Sequence, residues 1–182
     1  MTRRVPIFAT IIVLAAVATM IGLGVWQLGR MGEKADLLAS YEAAAKTGDE
    51  VAYPSTGDGS DVWFRRSRVT CDNVAKIDAV SGSSLRGAKG WVQRATCTSG
   101  VIVDLGYARD LATPEWTGGA VTGIIAPGPR LVADPPLAGL QPMAKPDPGD
   151  LPNNHLAYAG QWFFFALTAL VIYVLALRRR AR

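Results

Sequence analysis

The sequence predicts a membrane α+β protein, with two transmembrane helices flanking a small antiparallel, β-rich domain outside the cytoplasm. Three observations carry that prediction. Residues 7–28 form a run of 22 positions without a charged side chain, and residues 156–177 form a second run of the same length. Such a run rises roughly 33 Å as a helix, enough to cross a hydrocarbon core of about 30 Å. Between the two runs, short apolar stretches alternate with Gly and Ser clusters at the spacing of strands and tight turns. The reading divides the chain into a first span (7–28), an exported domain (29–155) and a second span (156–177).

Pro6 suits the opening of the first helix, because the first turn leaves its N–H positions unpaired in any case. Ala15 with Thr19 and Ala18 with Gly22 place small residues four apart, a spacing that lets a second helix approach closely in lipid. Gly160, Ala166 and Ala169 of the second span are the expected partners. Trp26, Tyr158 and Trp162 fall at the outer ends of the spans, where amphipathic rings favour the interface. Gln27 and Gln161 fall at the same depth and are expected to hydrogen-bond to each other. Arg3 and Arg4, the apolar stretch from Ile7 and then Ala16-Val17-Ala18 also resemble a cleavable secretory signal. The apolar run continues well past that cut, which favours a retained span.

The sequence pI of 9.3 suggests a nucleic-acid partner, but the charge distribution removes that reading. Arg3, Arg4, Arg178, Arg179, Arg180 and Arg182 all lie outside the spans; between them, 13 Lys and Arg stand against 15 Asp and Glu. The exported part is therefore slightly acidic and the basic character belongs to the tails. Basic flanks mark cytoplasmic helix ends, so both termini are expected in the cytoplasm and the central domain in the periplasm. With nothing resembling a transit peptide ahead of the first span, the expected location is a bacterial plasma membrane.

Beyond Arg30 the pattern stays helical, with Leu37, Leu38, Tyr41 and Ala45 at three- and four-residue steps among charged residues. This amphipathic extension is expected to end near Gly48. Residues 54–61 form a turn-rich loop whose Asp58 and Asp61 lack the ligand spacing of a calcium loop. Strands are expected over 62–71, 74–80, 90–97, 101–108 and 120–125, paired as an antiparallel sheet or small barrel. Residues 127–152 hold most of the prolines and read as an extended return to the membrane rather than core.

Cys71 and Cys97 are the two cysteines, both in the exported part. In an oxidising compartment a spaced pair is most simply a disulfide. Two buried thiols and a two-thiolate copper site are the alternatives, the latter without a Cys-x-x-Cys or a nearby His or Met to support it. The run Arg65-Arg66-x-Arg68 reads as a charged strand edge that blocks mispairing, or as a contact for lipid headgroups or an acidic partner.

The chain contains one histidine, His155, at the mouth of the second span and remote in sequence from every Ser and Cys candidate. Neither a nucleophile elbow nor a phosphate loop nor a metal-ligand cluster is present, so no enzyme is expected. His155 has two readings. In one, Pro152-Asn153-Asn154-His155 caps a helix and leaves a polar ring among headgroups. In the other, a neutral imidazole ligates metal, haem iron being the obvious candidate. On helical spacing Tyr158, Ala159 and Trp162 share its face, two rings and one small residue that would flank a flat macrocycle.

Two longer motifs extend this. Gly24-Val25-Trp26-Gln27-Leu28-Gly29-Arg30, followed by Lys34, resembles the G-x-W-Q-x-x-R-x-x-x-K pattern of the Surfeit-locus-1 family of cytochrome c oxidase assembly proteins. The stretch from Asn153 through His155, Tyr158, Ala159, Gln161, Trp162 and Phe163 is similar to that family's N-x-H-x-x-Y-A-x-Q-W-F motif. Val101-Ile102-Val103-Asp104-Leu105-Gly106-Tyr107 resembles its V-x-V-x-R-G-W strand, with Leu105 in place of Arg and Tyr107 in place of Trp. The resemblance implies an assembly chaperone for haem-copper oxidase that binds or delivers haem a to the catalytic subunit. His155 would be the iron ligand, with Tyr158 and Trp162 beside the macrocycle. Its implied partners are that subunit, haem a synthase and the lipid bilayer. The alternative is a cofactor-free scaffold that holds the nascent oxidase through its exported domain.

Overall fold

The computed structural model describes residues 6–180, without the side chain of Arg180. Arg3, Arg4 and Arg182 of the basic flanks lie outside the described residues. Two compact units are present: the described residues up to Leu37 together with those from Pro152 onward, and Leu38–Leu151. The first holds helix α1 (Ile7–Lys46) as far as Leu37 and helix α2 (His155–Arg180), and the end of α1 from Leu38 belongs to the second. Each helix is long and apolar enough to cross a membrane.

The second unit holds a sheet of seven strands among the described residues: β1 (Glu50–Val51), β2 (Arg66–Cys71), β3 (Val74–Ser83), β4 (Lys89–Cys97), β5 (Ile102–Ala108), β6 (Gly119–Ala126) and β7 (Arg130–Ala133). Their spatial order is β1-β2-β6-β7-β5-β4-β3. The sheet is mixed, not antiparallel as expected: β1 runs parallel to β2, and β7 parallel to β5.

The physical reason lies in β7. Strands that alternate apolar and polar residues bury one face, but Leu131-Val132-Ala133 is apolar throughout and all three residues are buried. Leu131 and Ala133 enter one apolar cluster with Val103, Leu105 and Ile125. Val132 enters another with Val92, Tyr107 and Met143. A strand buried on both faces belongs in the middle of a sheet. The β6–β7 hairpin, turning at residues 127–129, therefore sets β7 rather than β6 against β5, and two reversals make that pairing parallel.

This also corrects the reading of residues 127–152 as a return outside the core. They contribute β7 and buried Met143, and Gln141 exchanges backbone hydrogen bonds with Tyr107. The prolines lie outside the short strand, where they cost no ladder hydrogen bond.

The strand expected from residue 62 begins only at Arg66. Phe64 interrupts it with φ 66°, in the left-handed region that bulky residues rarely occupy. It is held there by packing: Phe64 is buried, its ring lies 5.3 Å from that of Tyr41, and its N–H donates to the Ile125 carbonyl. Tyr41, near the end of α1, covers Trp63 as well, at 5.9 Å. Burial raises the Tyr41 phenol above its ordinary pKa, and Asp58 and Asp61 add to that direction.

A β-bulge aims the polar residues of β5. Gln93 pairs with Gly106 but Arg94 pairs with Asp104, leaving Leu105 as the extra residue. The bulge reverses alternation, so Asp104 shares a face with Tyr107 although one residue number is even and the other odd. Arg94 donates to Asp104 from Nε at 2.6 Å and Nη2 at 3.1 Å; Arg130 of β7 donates from Nε at 2.8 Å. The Asp104 side chain is 4% exposed, so its charge is satisfied by both guanidinium groups. The hydrogen bond to Asp104 raises the Arg94 pKa above its ordinary value against an opposing effect of burial. Asp104→Ala is expected to cost about 3 kcal/mol, because it strands two cations beside a core. Arg94→Ala should cost less, since Arg130 remains on the carboxylate. Urea unfolding of the full chain measures both, and equal losses would contradict the shared-carboxylate account.

Cys71 and Cys97 are bonded to each other, with their Cα atoms 5.6 Å apart. They tie β2 to β4, strands that are not neighbours in the sheet, across the larger apolar cluster.

Candidate functional site

In the helical unit the least exposed positions of α1 recur at three- and four-residue steps through Val13, Val17, Met20, Gly24 and Gln27. On α2 they run through His155, Ala159, Trp162, Ala166 and Tyr173. Three contacts set an antiparallel register. Thr10 and Tyr173 are hydrogen-bonded through their hydroxyls, the Phe163 ring lies over Gly24, and Gln27 meets His155. A Cβ on residue 24 would stand 2.5 Å from the Phe163 ring, so glycine permits the approach of the two helices.

The seam differs from the one expected. Ala15, Ala18, Thr19 and Gly22 are all exposed, and Gly160 has open space where a Cβ would point. Ala166 is buried and Ala169 partly so. Gln161 is exposed, and Gln27 pairs with His155 rather than with it. Small residues at four-residue spacing were present on more than one face. The face that packs is the one that also carries Val17, Gly24 and Gln27.

His155 opens α2 and is partly buried. Its Nδ1 lies 2.7 Å from Gln27 Oε1. Nε2 has no hydrogen-bond partner among the described residues. Trp162 lies two turns further along the same face, partly buried, with its ring edge-on to Phe165 at 6.3 Å. Tyr158 stands apart from this face, 51% exposed. Two residues before His155, the Asn153 Oδ1 atom is buried without a partner among the described residues. Sequence reading missed the Gln27–His155 pair, although the signal was present. Gln27 follows Gly24 by three residues, Ala159 follows His155 by four, and all four lie where a seam needs them.

Several other charged groups of the sheet domain have partners within it, whereas Arg65 Nε is buried without one among the described residues. Asp58 accepts from the Ser60 N–H at 3.0 Å, which lowers its pKa and makes it a turn residue. Arg66 and Arg68 are exposed on β2, and Arg68 faces Glu50 at 3.5 Å. Arg94, Asp104, Arg130 and Lys145 line a cleft of about 190 Å³, in which Asp104 already takes both arginines and Lys145 pairs with Asp134.

A donor set of this kind suits one sort of metal. A bare ion needs three or more protein ligands, and no cluster of three His, Cys, Asp or Glu side chains exists among the described residues. Haem iron arrives with four ring nitrogens and asks for one or two axial donors. His155, partly buried at the start of α2 and with Nε2 unpartnered among the described residues, would serve as one such donor.

The model of the SURF1 family matches residues 14–167, most of the chain and all of the helical seam from Val17 to Ala166. The chain belongs to the SURF1 family. That family is associated with cytochrome oxidase assembly, and its members are assembly factors rather than a known class of enzyme. An oxidase is accordingly the partner that SURF1 membership implies. No curated protein and no solved structure matches the chain. Two parts of the SURF1-like motifs meet in space: Gly24 and Gln27 from the first, His155 and Phe163 from the second. Trp26 of the first motif points away from the seam and is 56% exposed. Leu105, which stands where the SURF1 strand motif has Arg, is the fully buried residue of the bulge.

Proposed function

We propose that this SURF1 protein crosses a bacterial plasma membrane twice and holds haem a through His155 for insertion into the catalytic subunit of the oxidase. The single observation that carries the reading is the state of His155. One ring nitrogen faces Gln27 of the neighbouring helix, and the other has no hydrogen-bond partner among the described residues.

The membrane part is supported by what the helices leave uncovered. Phe8 is 79% exposed, Leu156 63%, Phe164 63% and Ile172 62%. Contiguous apolar surface on this scale is unfavourable in water and ordinary in lipid. The orientation is supported by two features. Arg178 and Arg179 end α2, where basic residues favour the cytoplasmic face, and the Cys71–Cys97 bond favours an oxidising compartment for the sheet domain. A reporter active only outside the cytoplasm should therefore function when inserted at Gly57 and fail at either terminus. Activity at the carboxy terminus would overturn the two-span topology.

In this reading His155 would hold the iron through Nε2, and Trp162 and Tyr158 would supply aromatic surface for the macrocycle. The haem, once held, is a hydrophobic cargo kept out of water until the catalytic subunit or haem a synthase engages the protein. The purified chain, co-expressed with the enzymes that make haem a, is expected to carry a Soret band. A colourless protein that still co-purifies with oxidase would overturn the carrier and leave the scaffold.

A further inference from the structure

We infer that Gln27 is a positioning residue that fixes the tautomer of His155, placing the proton on Nδ1 and presenting the Nε2 lone pair for ligation; the ligation itself rests on the haem reading above.

The Gln27 atom that faces His155 is Oε1, which accepts and cannot donate. A neutral imidazole has one N–H, so at 2.7 Å from an acceptor that proton must sit on Nδ1. The remaining nitrogen, Nε2, then carries a lone pair and has no partner among the described residues. A free histidine side chain favours the opposite tautomer, with Nε2 protonated and unable to coordinate. The helix pair thus holds the ring in its less favoured form, and the second ring nitrogen of a metal-binding histidine is commonly committed in this way.

Position makes the contact specific. Gln27 lies one turn beyond Gly24, on the same face of α1. Gly24 lets α2 approach so closely that the Phe163 ring occupies the space of a side chain. At that separation the Gln27 side chain reaches the first residue of α2. The G-x-W-Q segment is then a geometric unit in which Gly24 sets the helix spacing and Gln27 uses it. Gln161, at a similar depth, is exposed and offers no competing partner to His155.

Because the chain has one histidine, ¹⁵N-histidine labelling of the full-length protein in nanodiscs gives a single imidazole spin system, provided the purification tag is free of histidine. The haem-free wild type is expected to show a protonated Nδ1 and an unprotonated Nε2. Gln27→Leu, similar in size but without an acceptor, is expected to shift the ring toward the Nε2-protonated form. Gln27→Glu, which keeps an acceptor oxygen, should restore the wild-type pattern. Haem a titrated into the same samples should bind about 10- to 100-fold more weakly to Gln27→Leu and recover in Gln27→Glu. An Nε2-protonated ring in the wild type would overturn the inference without any variant, since it would mean that the amide NH₂ faces the ring. An Nδ1-protonated ring unchanged in Gln27→Leu would overturn it as well. If the tautomer follows Gln27 but haem a binds none of the samples, the haem reading fails and control of the ring by Gln27 stands. If haem binds through His155 while the tautomer ignores Gln27, the reverse holds.

Discussion

His155→Ala is expected to abolish haem retention while leaving insertion of the protein unchanged. The helix keeps its 22 uncharged residues, and the packing of Gly24 against Phe163 and of Ala159 and Ala166 in the seam is untouched. What disappears is the one imidazole in the chain, the group that would hold the iron. Trp162→Ala should reduce haem content less, because it would remove ring packing and leave His155 in place. The measurement is haem per folded protein, from the Soret band and protein absorbance, for wild type and both variants at one pH. Equal haem content in wild type and His155→Ala would remove His155 as a ligand. A larger loss in Trp162→Ala would move the site away from the mouth of α2.

The second large effect concerns the sheet domain. Cys71 and Cys97 are separated by 26 positions, and closing a loop of that size restricts the unfolded chain by about 3 kcal/mol. The bond joins two strands that are not neighbours in the sheet; the pairing of Val74 with Cys97 and the Thr98 N–H to Asn73 carbonyl bond remain when it is lost. Cys71→Ser, Cys97→Ser and the double variant should each lose about that amount in urea unfolding. The double variant should lose far less than the two singles added, because both remove the same constraint. Additive losses, or free-thiol labelling of both cysteines in unreduced, denatured wild type, would show that the cross-link is not what stabilises the domain. The basis of that result matters for localisation, since a domain that depends on this bond needs an oxidising compartment to mature.

Much of the architecture was legible in the residues alone. Two uncharged runs determine where helices long enough for a bilayer occur, because only an all-helical backbone satisfies its own polar groups over such a length. Charge placement removed nucleic acid, and the single histidine left one position for an imidazole ligand. Strand positions from Val74 to Ala126 followed from alternation and from the Gly and Ser turns between them.

Three features were decided by tertiary structure, each because a side-chain pattern states what must be buried and not against what. The apolar triplet Leu131-Val132-Ala133, set among prolines, looked like a linker. It becomes the central strand of a mixed sheet because only a position covered on both faces can take three consecutive buried residues. The bulge at Leu105 depends on how β4 and β5 meet, and it alone brings Asp104 round to Arg94 and Arg130. Several faces of the two helices offered small residues for packing. The fit of Phe163 over Gly24 selects one of them, and that choice turns Gln27 toward His155 instead of Gln161. The sequence by itself thus determined the helices, most of the strands and the identity of the lone imidazole. That Gln27 meets His155 was decided by the packing of the two helices, because a hydrogen bond across 128 positions exists only once both are in place.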